Sequence, residues 1–299
     1  MTALKRLGLG TVQFGYNYGV SNSVGRPGES EISAILEYAA ASGIVYLDTA
    51  AAYGEAEALI GRLSPASHRF RIVTKLAPIA AERLEPRHVG EIVGSIEASC
   101  DRLKSDRLYA VLVHEARDLA KPGAEFIVEA LEDARRQGFV ERIGASVYDA
   151  DGLSLVTTRF WPQLVQLPLN VLDRRLASDG WLARLKGFGA EVHARSIFLQ
   201  GLLLMRPSEL PTFFEPMRKA LADMQARFAR SNASALAAAL AFVLRQEHID
   251  VLVVGVNRLS ELIEVEAAMA AAEGIEIDFG PAPSIAPHFL NPALWPSRV

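Results

Sequence analysis

The stretch Asp48-Thr49-Ala50-Ala51-Ala52-Tyr53-Gly54 follows the apolar run Ile44-Val45-Tyr46-Leu47. It reads as a short buried strand that ends on a carboxylate and delivers a phenol one loop later. Two similar events follow. Ile72-Val73-Thr74-Lys75 ends on an ammonium, and Tyr109-Ala110-Val111-Leu112-Val113-His114 ends on an imidazole. In a closed parallel barrel all strand ends open on one face, so Asp48, Tyr53, Lys75 and His114 are expected to converge there. Together they make a proton-donating site.

Outward from this stretch the same unit recurs, an apolar strand followed by an amphipathic helix. The candidate strands are Leu7–Thr11, Ile44–Asp48, Arg71–Leu76, Tyr109–His114, Arg142–Ser146, Leu164–Leu167, Glu191–Ser196 and Val251–Gly255. They are short, rich in Val, Ile and Leu, and apolar at consecutive positions, as strands covered on both faces are. Between them, Glu29–Ser42 has helical spacing and stops at Gly43, and Pro86 opens a helix striped with Val89, Ile92, Val93, Ile96 and Cys100. Glu125–Gln137 stops at Gly138, Ser231-Asn232 is the expected cap of an Ala-rich helix running to Gln246, and Ser260–Ala272 ends near Gly274. Eight such alternations predict an α/β fold, a single (β/α)8 barrel of TIM type spanning residues 1–299. An open doubly wound sheet fits less well, because Gly8-Leu9-Gly10-Thr11 does not run on into a Gly-rich turn and helix. The irregular segments Phe14–Gly28 and Met205–Met217 follow strands one and seven and are expected over the active face.

Composition narrows the function. The 31 Lys and Arg are balanced by 35 Asp and Glu, for a net charge of −4 with the signs mixed along the chain. No basic stripe marks a nucleic-acid or anionic-membrane partner. The single cysteine, Cys100, allows no intrachain disulfide and suits a small buried position on its helix. The six histidines lack ligand-like spacing, so no metal is expected. Met1-Thr2-Ala3-Leu4-Lys5-Arg6 carries no signal-peptide pattern, and Ala233–Leu244 is too short to span a bilayer. A soluble, cytoplasmic protein is expected.

One ordered series adds to this reading. Leu9-Gly10-Thr11-Val12-Gln13-Phe14-Gly15, the Asp48–Gly54 stretch, Thr74-Lys75 and His114 come first. Gly144-Ala145-Ser146, Gln166-Leu167-Pro168-Leu169-Asn170, and Ser196 with Gly201-Leu202-Leu203 complete it. The set resembles the aldo-keto reductase family over nearly the whole chain. The resemblance implies a barrel that binds NADP(H), with NAD(H) as the alternative, and reduces a small aldehyde or ketone by hydride transfer. In that scheme Tyr53 is the general acid and Lys75 lowers its pKa. Asp48 holds Lys75, and a neutral His114 orients the carbonyl.

On the cofactor side, the resemblance implicates Gly10, Thr11, Phe198 and Gly201, and it puts Ser146 and Gln166 at the nicotinamide amide. Val147 stands where many members have Asn. Arg195 before Ser196 replaces a stacking tyrosine, and it either stacks itself or forms an ion pair at the rim. The run Val254 to Glu264 is similar to the family's adenosine-binding loop. It implicates Gly255, Arg258 and Glu264, with a helix start that receives a 2′-phosphate. Glu261 stands where some members carry a base and would repel that phosphate. Only six residues precede Leu7, too few for the family's usual N-terminal hairpin, so Phe289, Leu294 and Trp295 are expected to help close the barrel floor. Tyr16, Tyr18, Phe198 and Phe213 are the candidate pocket aromatics, and the Arg195–Gly201 variant suggests a sugar-like substrate. Two other readings stand beside the reductase. One is a lyase forming a Schiff base on Lys75, disfavoured because Asp48 keeps the ammonium charged. The other is a nucleotide-binding regulatory subunit with little turnover.

Overall fold

The computed structural model describes residues 3–64 and 70–296. Eight parallel strands close into a barrel in sequence order. They are β1 (Leu7–Gly10), β2 (Tyr46–Asp48), β3 (Arg71–Lys75), β4 (Leu108–Val113), β5 (Val140–Ser146), β6 (Leu164–Pro168), β7 (Glu191–Arg195) and β8 (Val251–Gly255). Closure comes from β8 pairing with β1, Gly10 lying opposite Gly255 and Leu9 opposite Val254. Every predicted strand is present, with ends displaced by at most two residues.

The continuous apolar runs are explained by what lies on each side of the sheet. Val73, Ala110, Leu112, Leu164, Val251 and Val253 fill the barrel interior with the rings of Tyr46 and Tyr109. The alternate strand residues, among them Leu9, Leu47, Ile72, Val111 and Val165, pack outward with the apolar faces of the helices. Burial on both faces removes the polar alternation of a half-exposed strand. The Glu29–Ser42 helix ends as its sequence predicts, with Gly43 left-handed at φ 83° and its N–H returned to Ala39. Cys100 is buried and its thiol pKa is pushed up to about 11 by that burial, as befits a packing residue.

Two expectations are corrected. The Ala-rich helix (Ala235–Leu244) is capped by Ser234, whose hydroxyl accepts from the Ala237 N–H, while Asn232 turns left-handed ahead of it. The tail does not close the barrel floor. Phe289 packs on Phe213 at 5.2 Å and Trp295 on Phe214 at 4.8 Å, so the tail covers the segment after β7, and Leu294 is exposed. Met205–Met217 is thereby held against the tail.

The floor is closed by polar side chains at the strand starts. The Glu191 carboxylate takes hydrogen bonds from Tyr109, from Arg142 at 2.6 Å and from the His193 ring at 2.8 Å. Burial alone would raise its pKa, but the His193 and Tyr109 bonds bring it down to about 2. Arg71 lies over the Tyr46 and Tyr109 rings and donates to the Tyr46 hydroxyl. Arg6, leading into β1, donates to the Leu244 and Ile249 carbonyls. No described helix is long and apolar enough to cross a membrane.

Candidate active site

The C-terminal ends of the strands open on a cavity of about 370 Å³. Asp48 from β2, Tyr53 from the loop after it, His114 just past β4, Ser146 of β5, Gln166 of β6 and Arg195 of β7 all reach its wall. Gly10, Thr11, Ser196, Phe198, Gly201, Gly255 and Glu264 line it as well. Arg258 does not: it is exposed and outside the wall. Among the predicted pocket aromatics, Tyr18 and Phe198 line the cavity. Tyr16 turns away to donate to the Ala52 carbonyl, and Phe213 lies under the tail.

Beneath the wall sits a saturated ion pair. The Lys75 ammonium lies 2.8 Å from both Asp48 oxygens and 2.8 Å from the Thr49 carbonyl, so all three of its protons are placed. Burial pulls the Lys75 pKa below the usual ammonium range, and the Asp48 carboxylate opposes that pull. Lys75 is not part of the cavity wall and turns no lone pair towards it. The Schiff-base reading of this lysine therefore lacks an accessible nucleophile.

Tyr53 and His114 meet edge to face with ring centroids 5.8 Å apart, and the Lys75 ammonium lies 5.2 Å from the Tyr53 ring centre. Burial pushes the phenol well above its ordinary range, Asp48 pushes it further, and the cation that pulls it back is Arg195. His114 is held near pKa 3, first by burial and then by the charges of Lys75 and Arg195, so its imidazole is neutral. Its buried Nδ1 has no protein partner.

Arg195 does not form the ion pair that was one of its two expected roles. It donates to the Val147 carbonyl at 3.0 Å, and its guanidinium lies 4.0 Å from the centre of the Tyr148 ring. Gln166 is tied to the ion pair, its Nε2 donating to Asp48 Oδ1 at 2.6 Å. The segment after β7 is locally strained: Ser196, Leu199 and Gln200 are all left-handed, with Asn170 donating to the Ser196 carbonyl at 3.0 Å.

The loop after β1 does cover the cavity. The Val20 N–H donates to the Gln200 carbonyl at 3.0 Å, and the Asn22 side chain reaches Asn257 at 3.1 Å. Three further contacts were not read from the sequence, although Gln13 and Gly15 stand in the quoted Leu9–Gly15 run. Tyr148 is the platform for Arg195. Gln13 lines the cavity with a buried, unpartnered Oε1, in a space that Gly255 leaves free because a Cβ there would overlap the Gln13 side chain. Gly15 lets β1's exit approach the Tyr53 carbonyl, where a Cβ has no room. Only Gly15 carried a readable signal, as a glycine following a strand end.

Comparisons with known proteins agree with this geometry. The D-arabinose 1-dehydrogenase of Saccharomyces cerevisiae is 34% identical over 127 residues, which span 39% of this chain and about a third (36%) of that enzyme. The structure of aldo-keto reductase AKR11C1 from Bacillus halodurans superposes with a TM-score of 0.69 at 20% identity, covering 90% of this chain and 87% of that one. A Pseudomonas aeruginosa protein described as an aldo-keto reductase gives 0.65 at 22% identity, with 90% of both chains covered. At these identities the two structures speak for the fold alone. The model described as the Aldo/keto reductase family matches residues 6–273, and with the barrel and its strand-end constellation in place, this chain belongs to that family.

Proposed function

We propose that this protein is a nicotinamide-dependent oxidoreductase that interconverts an aldehyde or ketone and its alcohol, with Tyr53 as general acid. The observation that carries the reading is the Tyr53–His114 contact on the cavity wall, with the Asp48–Lys75 pair directly behind it. A nicotinamide cofactor supplies or accepts the hydride when bound. The residues present suit such a group. Ser146, Gln166 and the unpartnered Gln13 Oε1 offer polar atoms, and the glycines at 10, 201 and 255 leave room for close approach.

The chain's own groups then divide the work. His114, neutral at physiological pH, donates from one ring nitrogen and orients the carbonyl oxygen. Tyr53 keeps its proton until negative charge develops on that oxygen, because burial makes its phenolate costly. Arg195 is the cation that eases ionisation of the phenol. The Asp48–Lys75 pair holds a rigid, neutral base under the ring. We assign the substrate to the polyhydroxylated carbonyl compounds, of which aldoses are the simplest. The support is the partial likeness to a D-arabinose 1-dehydrogenase and the polar lining by Tyr18, Tyr148, Arg195 and Gln200.

Tyr53→Phe removes only the transferable proton. It is expected to cut turnover of an aldose and aldehyde panel by at least 100-fold and to leave nucleotide affinity unchanged. Wild-type turnover in this variant overturns the assignment. Tight nucleotide binding by the native protein with no turnover on any carbonyl favours a regulatory role instead.

A further inference from the structure

We infer that this protein selects NAD(H) over NADP(H), and that Glu31 and Glu261 are the residues that discriminate. The inference rests on the nicotinamide reading above and adds to it the identity of the cofactor.

The cavity wall includes Tyr53 and His114, from the loops after β2 and β4, and Asn257, Glu261 and Glu264, from the segment after β8 where the helix Leu259–Ala272 begins. A dinucleotide whose reactive ring meets Tyr53 must carry its adenosine half towards that helix. The free N–H groups of a helix start are a natural seat for a phosphate. Here the first of them, on Leu259, and the Asn257 N–H in the loop just ahead are already taken by carboxylates. Glu261 Oε2 accepts from the Asn257 N–H at 2.7 Å, and Glu31 Oε1 accepts from the Leu259 N–H at 2.6 Å.

The wall charges of this segment have one sign. Among the described residues, the ionisable wall residues of this segment are Glu261 and Glu264; Arg195, the one arginine or lysine of the wall, lies over Tyr148, on the segment after β5. Arg26 is bonded to Glu55; Arg258, the N-cap of the helix, is exposed, and both it and Glu31 lie outside the cavity wall, with Glu31 fixed on the Leu259 N–H. A 2′-phosphate would enter a negative field with the first amide of the helix already occupied. A ribose hydroxyl would instead meet carboxylate acceptors, the arrangement that suits an unphosphorylated ribose. Glu31 comes from the helix after β1 and is 228 residues away from the amide it caps, which is why pattern reading of the β8 segment finds Glu261 and not its partner.

Titration of the purified full-length protein with NADH and with NADPH, followed by calorimetry, tests this without reference to turnover. The native protein is expected to bind NADH at least 10-fold more tightly than NADPH. Added salt should narrow the gap by screening the repulsion. Glu31→Gln combined with Glu261→Gln keeps both amide acceptors and removes both charges. It is expected to reduce the preference at least 10-fold, chiefly by tightening NADPH. Equal or tighter NADPH binding by the native protein overturns the inference, as does an unchanged ratio in a folded double variant. The salt series on native protein decides the matter if the double variant does not fold: a gap insensitive to ionic strength counts against charge discrimination. Failure of both nucleotides to bind sinks the nicotinamide reading itself, an outcome distinct from a reversed preference.

Discussion

The Gln166 amide donates to Asp48 Oδ1 at 2.6 Å, on the same oxygen that holds the Lys75 ammonium at 2.8 Å. The residue facing the cavity at β6 is thus mechanically joined to the buried ion pair under Tyr53. Replacing it by Leu leaves one bond of a buried carboxylate unmade, at a cost of about 1–3 kcal/mol. Gln166→Glu sets two carboxylates against each other and is expected to cost more than Gln166→Leu. Urea denaturation of the three proteins, read side by side, checks the order. A Glu variant as stable as native would show that this contact is not maintained.

His114 gives a pH dependence with a definite sign. Unfolded, its imidazole takes a proton near pH 6.5; folded, it refuses one until about pH 3. Across that window the unfolded state binds more protons, so this residue's contribution to stability falls as pH drops, by about 1.4 kcal/mol per pH unit. Glu191, held near pKa 2, adds its own loss only below the ordinary carboxylate range. Denaturation of the native protein and of His114→Gln at pH 6.5, 5.5 and 4.5 isolates His114, because Glu191 contributes equally to both. The native protein should show a stability slope about one proton steeper than His114→Gln does; parallel slopes would refute the buried neutral imidazole.

Gly15 is tested by a single methyl. A Cβ there overlaps the Tyr53 carbonyl and must displace the loop that carries the phenol. Small misplacements of a reacting group cost about 100-fold in rate. Gly15→Ala should lower kcat by 10- to 100-fold with nucleotide affinity changed far less. An equal loss in both would place the damage in the cofactor seat instead.

At the barrel floor, Glu191→Ala strips the partner from Tyr109, Arg142 and His193 together. Breaking a buried ionic cluster at one member costs about 3–5 kcal/mol, and a matching fall in Tm is expected by calorimetry. Nucleotide affinity should stay as in the native protein, because the cavity is at the other end of the strands. A change in affinity would mean that the floor and the site are coupled.

The strand count, the barrel and the four strand-end groups were legible because burial on both faces writes unbroken Val, Ile and Leu runs. The ionisable residue that ends such a run stands out. What stayed hidden depends on contacts between distant segments. Nothing near Arg195 reveals that Tyr148 lies under it, and nothing near Glu31 reveals that it meets the Leu259 N–H. The tail was misplaced because its aromatics fit any apolar surface, and the segment after β7 offered Phe213 and Phe214. The floor was closed instead by Tyr109, Arg142, Glu191 and His193, polar residues that read singly as ordinary strand starts.

The loop after β1 crosses the cavity and is tethered at Val20 to Gln200 and at Asn22 to Asn257. Under the function proposed above, a nucleotide enters and leaves past this loop, and each of these two tethers is a hydrogen bond worth about 1 kcal/mol.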